Sequence, residues 1–161
     1  MAFTAQDVKN LREKTGVGMM ECKKALTEAD GDMDRAFEIL RERGLAASEK
    51  KASRIAAEGA IIAYTDEDAK VTVLLEINSE TDFVGKNDKF QEFGLNVAKT
   101  IAANKPASVE ALADLKLVGS DRTVTENLND LILVIGENLK IRRFEIVEGD
   151  VVTYIHGGGA V

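Results

Sequence analysis

Residues 71–87 read Val-Thr-Val-Leu-Leu-Glu-Ile-Asn-Ser-Glu-Thr-Asp-Phe-Val-Gly-Lys-Asn, and this stretch determines the fold around it. Apolar residues alternate with others from Val71 to Ile77, which predicts a half-buried strand that ends near Asn78. Residues 60–64 form a second short apolar run before the acidic turn 65–70, so the two runs predict an antiparallel hairpin.

A polar loop carrying one aromatic residue follows the strand. Thr81, or Ser79 with Asp82 three residues on, can cap a helical turn that begins there. Phe83 lies within the first turn, where its ring can point outward from the strand end. Spacing alone leaves a second interpretation open, in which Phe83 packs against its own domain.

The rest of the second half continues this pattern of strands and helices. Apolar residues recur at helical spacing from Phe90 to Ile101 and again from Leu128 to Leu139, after a capping-box pattern at Thr123. A shorter helix is predicted at 108–115. Residues 141–148 and 151–156 predict a second hairpin. Adjacent strands with helices between them are typical of an α+β fold, in which an antiparallel β-sheet core is covered by helices.

The first 45 residues predict a three-helix bundle joined to that core. Thr4 can cap a helix to about Lys14, a second helix follows to about residue 29, and Asp32 can cap a third that Gly44 ends. We therefore expect a docking domain at 1–45, a partly helical connector at 46–58 and a core domain at 59–161.

The charge of the chain disfavours a nucleic-acid partner. Residues 1–58 hold 11 basic and 11 acidic side chains, so the whole net charge of −7 lies in residues 59–161. A phosphate-binding surface needs clustered positive charge, and two tyrosines, six phenylalanines and no tryptophan do not favour a base-stacking platform. No apolar run approaches the roughly 18 residues of a membrane span, so no membrane partner is expected. Without a targeting pattern at its start, the chain is predicted to be cytoplasmic.

The sequence offers few residues for enzymatic or metal chemistry. His156 is the only histidine, so neither a His-His metal site nor a two-histidine acid-base scheme can form. Residues 30–34 resemble the opening of a calcium loop, but Arg35 and Arg41 stand where that loop needs Gly and Glu. Cys22 is expected to be a small buried apolar residue. We therefore expect no enzyme, no cofactor and no bound metal.

Four motifs occur in a characteristic order. They are residues 8–26, Thr81-Asp82-Phe83-Val84, Ile135-Gly136-Glu137-Asn138 followed by Arg142-Arg143, and Tyr154-Ile155-His156-Gly157. Together they resemble the elongation factor Ts family, the guanine-nucleotide exchange factors of bacterial translation. The resemblance implies that the three-helix bundle is of the ubiquitin-associated-like kind.

The resemblance also implies a function. A family member binds the GTPase domain of elongation factor Tu, displaces its magnesium ion and promotes GDP release, so that GTP can bind. Phe83 would wedge between helices of that domain, Asp82 would interact at the same place, and Thr81 and Val84 would fix the loop. The alternative is a non-catalytic adaptor whose three-helix module binds a ubiquitin-like or peptide partner.

Further contacts with the partner are implied on other parts of the chain. They are Leu11, Arg12, Met19 and Met20 in the bundle, and Ile135 and His156 in the core domain. Membership of the apolar stripe of its own helix is an open alternative for Ile135. Adjacent residues such as Met19 and Met20 cannot both face one core, so one is expected to be an exposed contact, or else merely a surface residue.

The resemblance finally implies how much of the family is present. Family members usually continue beyond the position of Val161, which predicts that this chain lacks the carboxyl-terminal part. That part would contact a second domain of the partner or mediate dimerisation, so we expect weaker binding for this length of chain. A homodimer through the core domain is a further expectation.

Overall fold

A computed structural model describes residues 2–161, which form two compact units. The helical unit contains residues 2–53 together with Asn129–Gly136, and the sheet unit contains Arg54–Leu128 together with Glu137–Val161. The expected α+β fold is confirmed. The elements are, in order, helices α1 (Ala5–Thr15), α2 (Met19–Glu28) and α3 (Met33–Lys51), strands β1 (Glu58–Asp66) and β2 (Val71–Ser79), helices α4 (Asp88–Asn104), α5 (Val109–Ala113) and α6 (Val124–Ile135), and strand β3 (Lys140–Glu148).

Local sequence signals define the three helices of the helical unit. Thr4 and Asp7 form a capping box at the start of α1, in which the Asp7 carboxylate accepts from the Thr4 amide at 2.7 Å. Gly16 ends α1 in the left-handed conformation, with a φ of 71°. The Asp32 carboxylate caps α3 by accepting from the Arg35 amide at 3.0 Å. The expected three-helix layout is therefore present, with a core that includes Leu11, Leu26 and Leu40.

Helix α3 is longer than the sequence indicated. Gly44 was expected to end it, but the helix continues to Lys51, so much of the anticipated connector is helical. Gly44 is buried, and a Cβ at this position would lie 3.1 Å from Asp130 Oδ1 and 3.2 Å from the Asn129 carbonyl oxygen. The glycine therefore permits a close approach between helices instead of ending one.

The sheet unit is built on a three-stranded antiparallel sheet in the order β1-β2-β3. The hairpin of β1 and β2 pairs Glu58 with Ser79 and Asp66 with Val71. Strand β3 pairs with the other side of β2, with a register shift at Glu76/Ile77. The middle strand is thus hydrogen-bonded on both edges, which explains why it is the most buried of the three.

Helix α4 covers one face of this sheet. Its buried residues Phe90, Phe93, Val97 and Ile101 form an apolar stripe, and Gly94 lets the helix lie against Ile62 and Ile77. The Asn87 side chain caps the helix by accepting from the Phe90 amide at 3.1 Å. The helix therefore seals the apolar face of β2 immediately after the loop that contains Phe83.

Two expectations for the carboxyl-terminal part were wrong. Helix α6 ends at Ile135, followed by Gly136 at a φ of 82°, so the predicted helical stripe does not continue to Leu139. Residues 151–156 form no strand within the described chain, so the second predicted hairpin, with β3, is not formed. Instead the chain returns to β1, where Ala160 bridges Ala60 and the Val161 amide donates to the Gly59 carbonyl at 3.2 Å.

Candidate functional site

The loop after β2 presents one aromatic ring to solvent. Phe83 is 83% exposed, and Thr81 and Asp82 beside it are also exposed. Phe83 is thus not packed against its own domain, and the first of the two interpretations of its position holds. An exposed ring next to an exposed carboxylate has the composition of an anchor for another protein.

The residues that follow Phe83 fix the base of this loop. Val84 is buried, and Gly85 approaches β1 so closely that a Cβ on it would lie 2.9 Å from the Gly59 carbonyl oxygen. The Gln91 amide group donates to the Gly85 carbonyl at 2.6 Å. A short 3-10 turn, Val84–Lys86, connects this base to α4. Phe83 therefore projects from a loop whose downstream side is held by packing.

The upstream side of the loop is held by the turn after α6. The Glu137 carboxylate accepts from the Glu80 and Thr81 amides, each at 3.0 Å, and from the Thr81 hydroxyl at 2.6 Å. Ser79 adds a bond from its hydroxyl to the Thr81 carbonyl at 2.8 Å. Glu137 lies in one of the motifs, but no sequence signal placed it beside Thr81, because 56 residues separate the two.

His156 lies on an exposed segment of the same unit. Its Nδ1 is 3.4 Å from the Tyr154 hydroxyl, and Val152 and Tyr154 are both more than 80% exposed. The segment ends on β1, where the Gly59 carbonyl accepts from the Val161 amide. Gly85, at the base of the Phe83 loop, approaches the same Gly59 carbonyl closely, so both segments meet β1 at this residue.

The predicted contacts of the helical unit divide into surface and core. Arg12 is exposed, Met19 is 48% exposed and Met20 is 66% exposed. Leu11 is fully buried in the core of the unit, so the structure does not present its side chain to a partner, contrary to expectation. Ile135 is half-buried at the last position of α6.

The two methionines of the helical unit line different shallow grooves. Met19 lines a groove of about 230 Å³ that also includes Phe3 and Val8. Met20 lines a second groove of about 310 Å³ with Lys23, Lys24 and Thr27. Neighbouring helical residues point about 100° apart, so this division is the expected geometry, and both methionines remain accessible.

The single cysteine of the chain is buried in the core of the helical unit. Burial raises the pKa of the Cys22 thiol, with opposing contributions from Thr15 and Arg12, so the thiol is less reactive than a free cysteine.

Among residues 2–161 there is no group of three or more His, Cys, Asp or Glu side chains that could hold a metal ion. None of the helices in that range has the length and apolar composition needed to cross a membrane.

An exposed aromatic ring on a braced loop and a helical bundle that presents two methionines are features typical of proteins that bind other proteins. The family model described as "Elongation factor TS" matches residues 80–161. Elongation factor Ts of Clostridium perfringens (strain 13 / Type A) is 53% identical over 99% of this chain and 53% of its own length. Elongation factor Ts of Syntrophotalea carbinolica is 50% identical over 100% of this chain and 54% of its own length. Elongation factor Ts of Trichlorobacter lovleyi is 49% identical over 100% of this chain and 53% of its own length.

The chain belongs to the elongation factor Ts family. The resemblance that the four motifs indicated is thereby confirmed. The chain spans about half the length of the curated relatives it matches.

Proposed function

We propose that this chain is a guanine-nucleotide exchange factor that acts on elongation factor Tu in the cytoplasm. GDP bound to a GTPase is held through its phosphates and a magnesium ion, and removal of the ion takes away the largest local positive charge. The chain would bind the GTPase domain, shift the elements that hold magnesium, and leave the GDP weakly bound. No covalent chemistry is needed for this reaction.

The exposure of Phe83 carries the proposal. A ring that is 83% exposed gives up little packing of its own when it enters a partner. The free energy gained by burying the ring is therefore available to distort that partner. Asp82 places a negative charge beside the ring, where it would interact with the same region of the partner. Thr81 and Val84 hold the two sides of the loop.

The helical unit is proposed to supply affinity. Arg12, Met19 and Met20 offer a charged group and two flexible apolar side chains on an accessible surface. Ile135 and His156 are proposed as further contacts. Ile135 is half-buried, so it can contact a partner and also belong to the apolar stripe of α6. Leu11 would support the surface from inside the core.

Stopped-flow release of a fluorescent GDP from elongation factor Tu tests the proposal. The wild-type chain should accelerate release, and Phe83→Ala should lower the maximal rate about 30-fold, as expected for the loss of a central aromatic anchor. Ile55→Ala is a matched control, because Ile55 is an equally exposed apolar residue of the same unit at 85%. Equal rates for Phe83→Ala and the wild type would refute the wedge.

The same assay separates affinity from catalysis. Met20→Ala should raise the half-saturating concentration about fivefold and leave the maximal rate unchanged, since the methionine contributes only to docking. Leu45→Ala, at an exposed position of α3, provides the control in the helical unit. A chain that binds elongation factor Tu without accelerating release would be the adaptor instead.

A further inference from the structure

The loop that carries Phe83 is held by a reciprocal set of hydrogen bonds with the turn after α6. Glu137 accepts three bonds from Glu80 and Thr81, as described above. In the opposite direction, the Asn138 amide donates to the Glu80 carboxylate at 2.7 Å. Each of the two segments thus provides both a carboxylate and backbone amides to the other, and we call this arrangement the Glu137 clasp.

The Glu137 clasp is connected to the segment that precedes β1. The Asn138 side-chain amide donates to the Arg54 carbonyl at 2.7 Å, and the Arg54 guanidinium lies 3.5 Å from the Glu80 carboxylate. Asn138 is buried, so its position is fixed by packing as well as by hydrogen bonds. The clasp therefore has a rigid side, at Asn138, and an exposed side, at Thr81.

The exposed side is fixed by hydrogen bonds instead of side-chain packing: Glu137 accepts from Thr81, and the Ser79 hydroxyl and the Lys86 amide donate to the Thr81 and Phe83 carbonyls. Thr81, Asp82 and Phe83 are consecutive exposed residues, and an exposed ring cannot be oriented by packing. The direction of the Phe83 ring depends on the backbone of the loop, in which one carboxylate binds the amides of Glu80 and Thr81. Hydrogen bonds to an ionised acceptor are about twice as strong as neutral ones, so Glu137 makes the largest contribution to this order.

We propose that Glu137 is a positioning residue for nucleotide exchange, which acts by keeping the Phe83 loop in its inserting conformation before the partner is bound. This inference rests on the exchange function proposed above. A preordered loop loses less conformational entropy in the insertion step that follows docking, and a small displacement of the inserting group lowers the rate of that geometry-dependent step. The role concerns the maximal rate of GDP release and not the affinity of docking.

Hydrogen exchange of individual amides tests the Glu137 clasp itself. The Glu80 and Thr81 amides should be protected in the wild-type chain, and Glu137→Gln should lower their protection about tenfold, because the neutral carbonyl oxygen of glutamine accepts both bonds more weakly than a carboxylate oxygen does. Glu145→Gln removes the same charge from an exposed position of β3 and should leave both amides protected. Unchanged protection in Glu137→Gln would overturn the proposal.

GDP release from elongation factor Tu tests the role. Glu137→Gln should lower the maximal rate about tenfold without changing the half-saturating concentration. If Glu137 acts through Phe83, adding Glu137→Gln to Phe83→Ala should cause no further loss. A wild-type maximal rate in Glu137→Gln, or independent losses that multiply in the double variant, would overturn the positioning role.

The two measurements distinguish failure of this inference from failure of the proposed function. Exchange activity in the wild type and loss of amide protection without loss of rate in Glu137→Gln would overturn the positioning role alone. Absence of accelerated GDP release in the wild type would overturn the proposed function, and the role of Glu137 with it, whatever the amides show. Thermal unfolding of each variant confirms that the chain remains folded in both assays.

Discussion

Glu76 is a buried carboxylate in the middle strand of the sheet. It accepts from the Arg143 guanidinium and from the Asn78 side-chain amide, each at 2.9 Å, and Arg142 lies 3.8 Å away. Burial acts to raise the pKa of Glu76, but the hydrogen bonds from Asn78 and Arg143 and the two positive charges outweigh it. The pKa therefore lies below the ordinary value of a glutamate.

We expect this lowered pKa to make the stability of the sheet unit depend on acid pH. The unfolded state binds the proton more readily than the folded state, so the contribution of Glu76 is present above the unfolded pKa, near 4.3, and is lost as pH falls through the folded pKa. Glu76→Gln should lower the free energy of unfolding at pH 7 by about 2 kcal/mol and flatten its decline below about pH 5.

Urea denaturation at a series of pH values measures this effect. The expected loss of stability is small because the Arg143 side chain is 73% exposed and water screens its charge. Glu145→Gln, on the neighbouring strand, should keep the wild-type dependence on pH. An equally steep acid decline in Glu76→Gln would assign it to other carboxylates.

At the scale of elements, the approach of α3 to residues 129–130 depends on the absence of a side chain at Gly44. A Cβ there would lie within 3.2 Å of the Asn129 carbonyl oxygen, which is backbone and cannot rotate away. We expect Gly44→Leu to lower the free energy of unfolding by about 1–3 kcal/mol, although leucine favours helix more than glycine does. Chemical denaturation followed by circular dichroism measures the change.

Ala46→Leu is the matched control for this substitution. It introduces the same side chain on the same helix at an exposed position, so its effect should stay within about 0.5 kcal/mol. Similar losses for the two variants would show that crowding at Gly44 is not the cause.

The elements that the sequence predicts well are those with local signals. Alternation from Val71 to Ile77 identifies β2, and the capping residues Thr4 and Asp32 mark the starts of two helices. The end of α3 could not be predicted, because a glycine that permits close packing has the same local pattern as one that ends a helix. Residues 151–156 are rich in residues that favour strands, but composition does not show whether a segment pairs with the edge of a sheet.

For the candidate site, the sequence identifies the candidate residues better than it predicts which of them lie in contact in the fold. Spacing allowed Phe83 to be exposed without deciding it, whereas the clasp joins Thr81 to a residue far along the chain that no local pattern indicated. Leu11 illustrates the opposite error: it lies in a motif of the family, yet its place on the inner face of α1 makes it a core residue. A motif records which residues recur, and packing decides which of them a partner can reach.

At the scale of the whole molecule, the two units are proposed to do different work. The helical unit exposes Met19 and Met20, which we propose for docking, and the sheet unit exposes Phe83, which we propose for distortion of the partner. A contact that binds both states of the partner with the same free energy does not shift the equilibrium between them. A contact that binds the nucleotide-free state more tightly stabilises that state. Substitutions in the two units should therefore have different thermodynamic consequences.

Thermodynamic linkage makes this difference measurable. If the chain weakens GDP binding to elongation factor Tu by some factor, GDP must weaken binding of the chain by the same factor. Titration calorimetry of the chain with GDP-bound and nucleotide-free elongation factor Tu gives that factor. Met20→Ala should lower both affinities equally and leave the factor unchanged, because docking does not distinguish the two states. Phe83→Ala should reduce the factor about tenfold or more, because the inserted ring favours only the nucleotide-free state. A factor altered equally by both variants would contradict the division of roles, since docking would then itself sense the nucleotide.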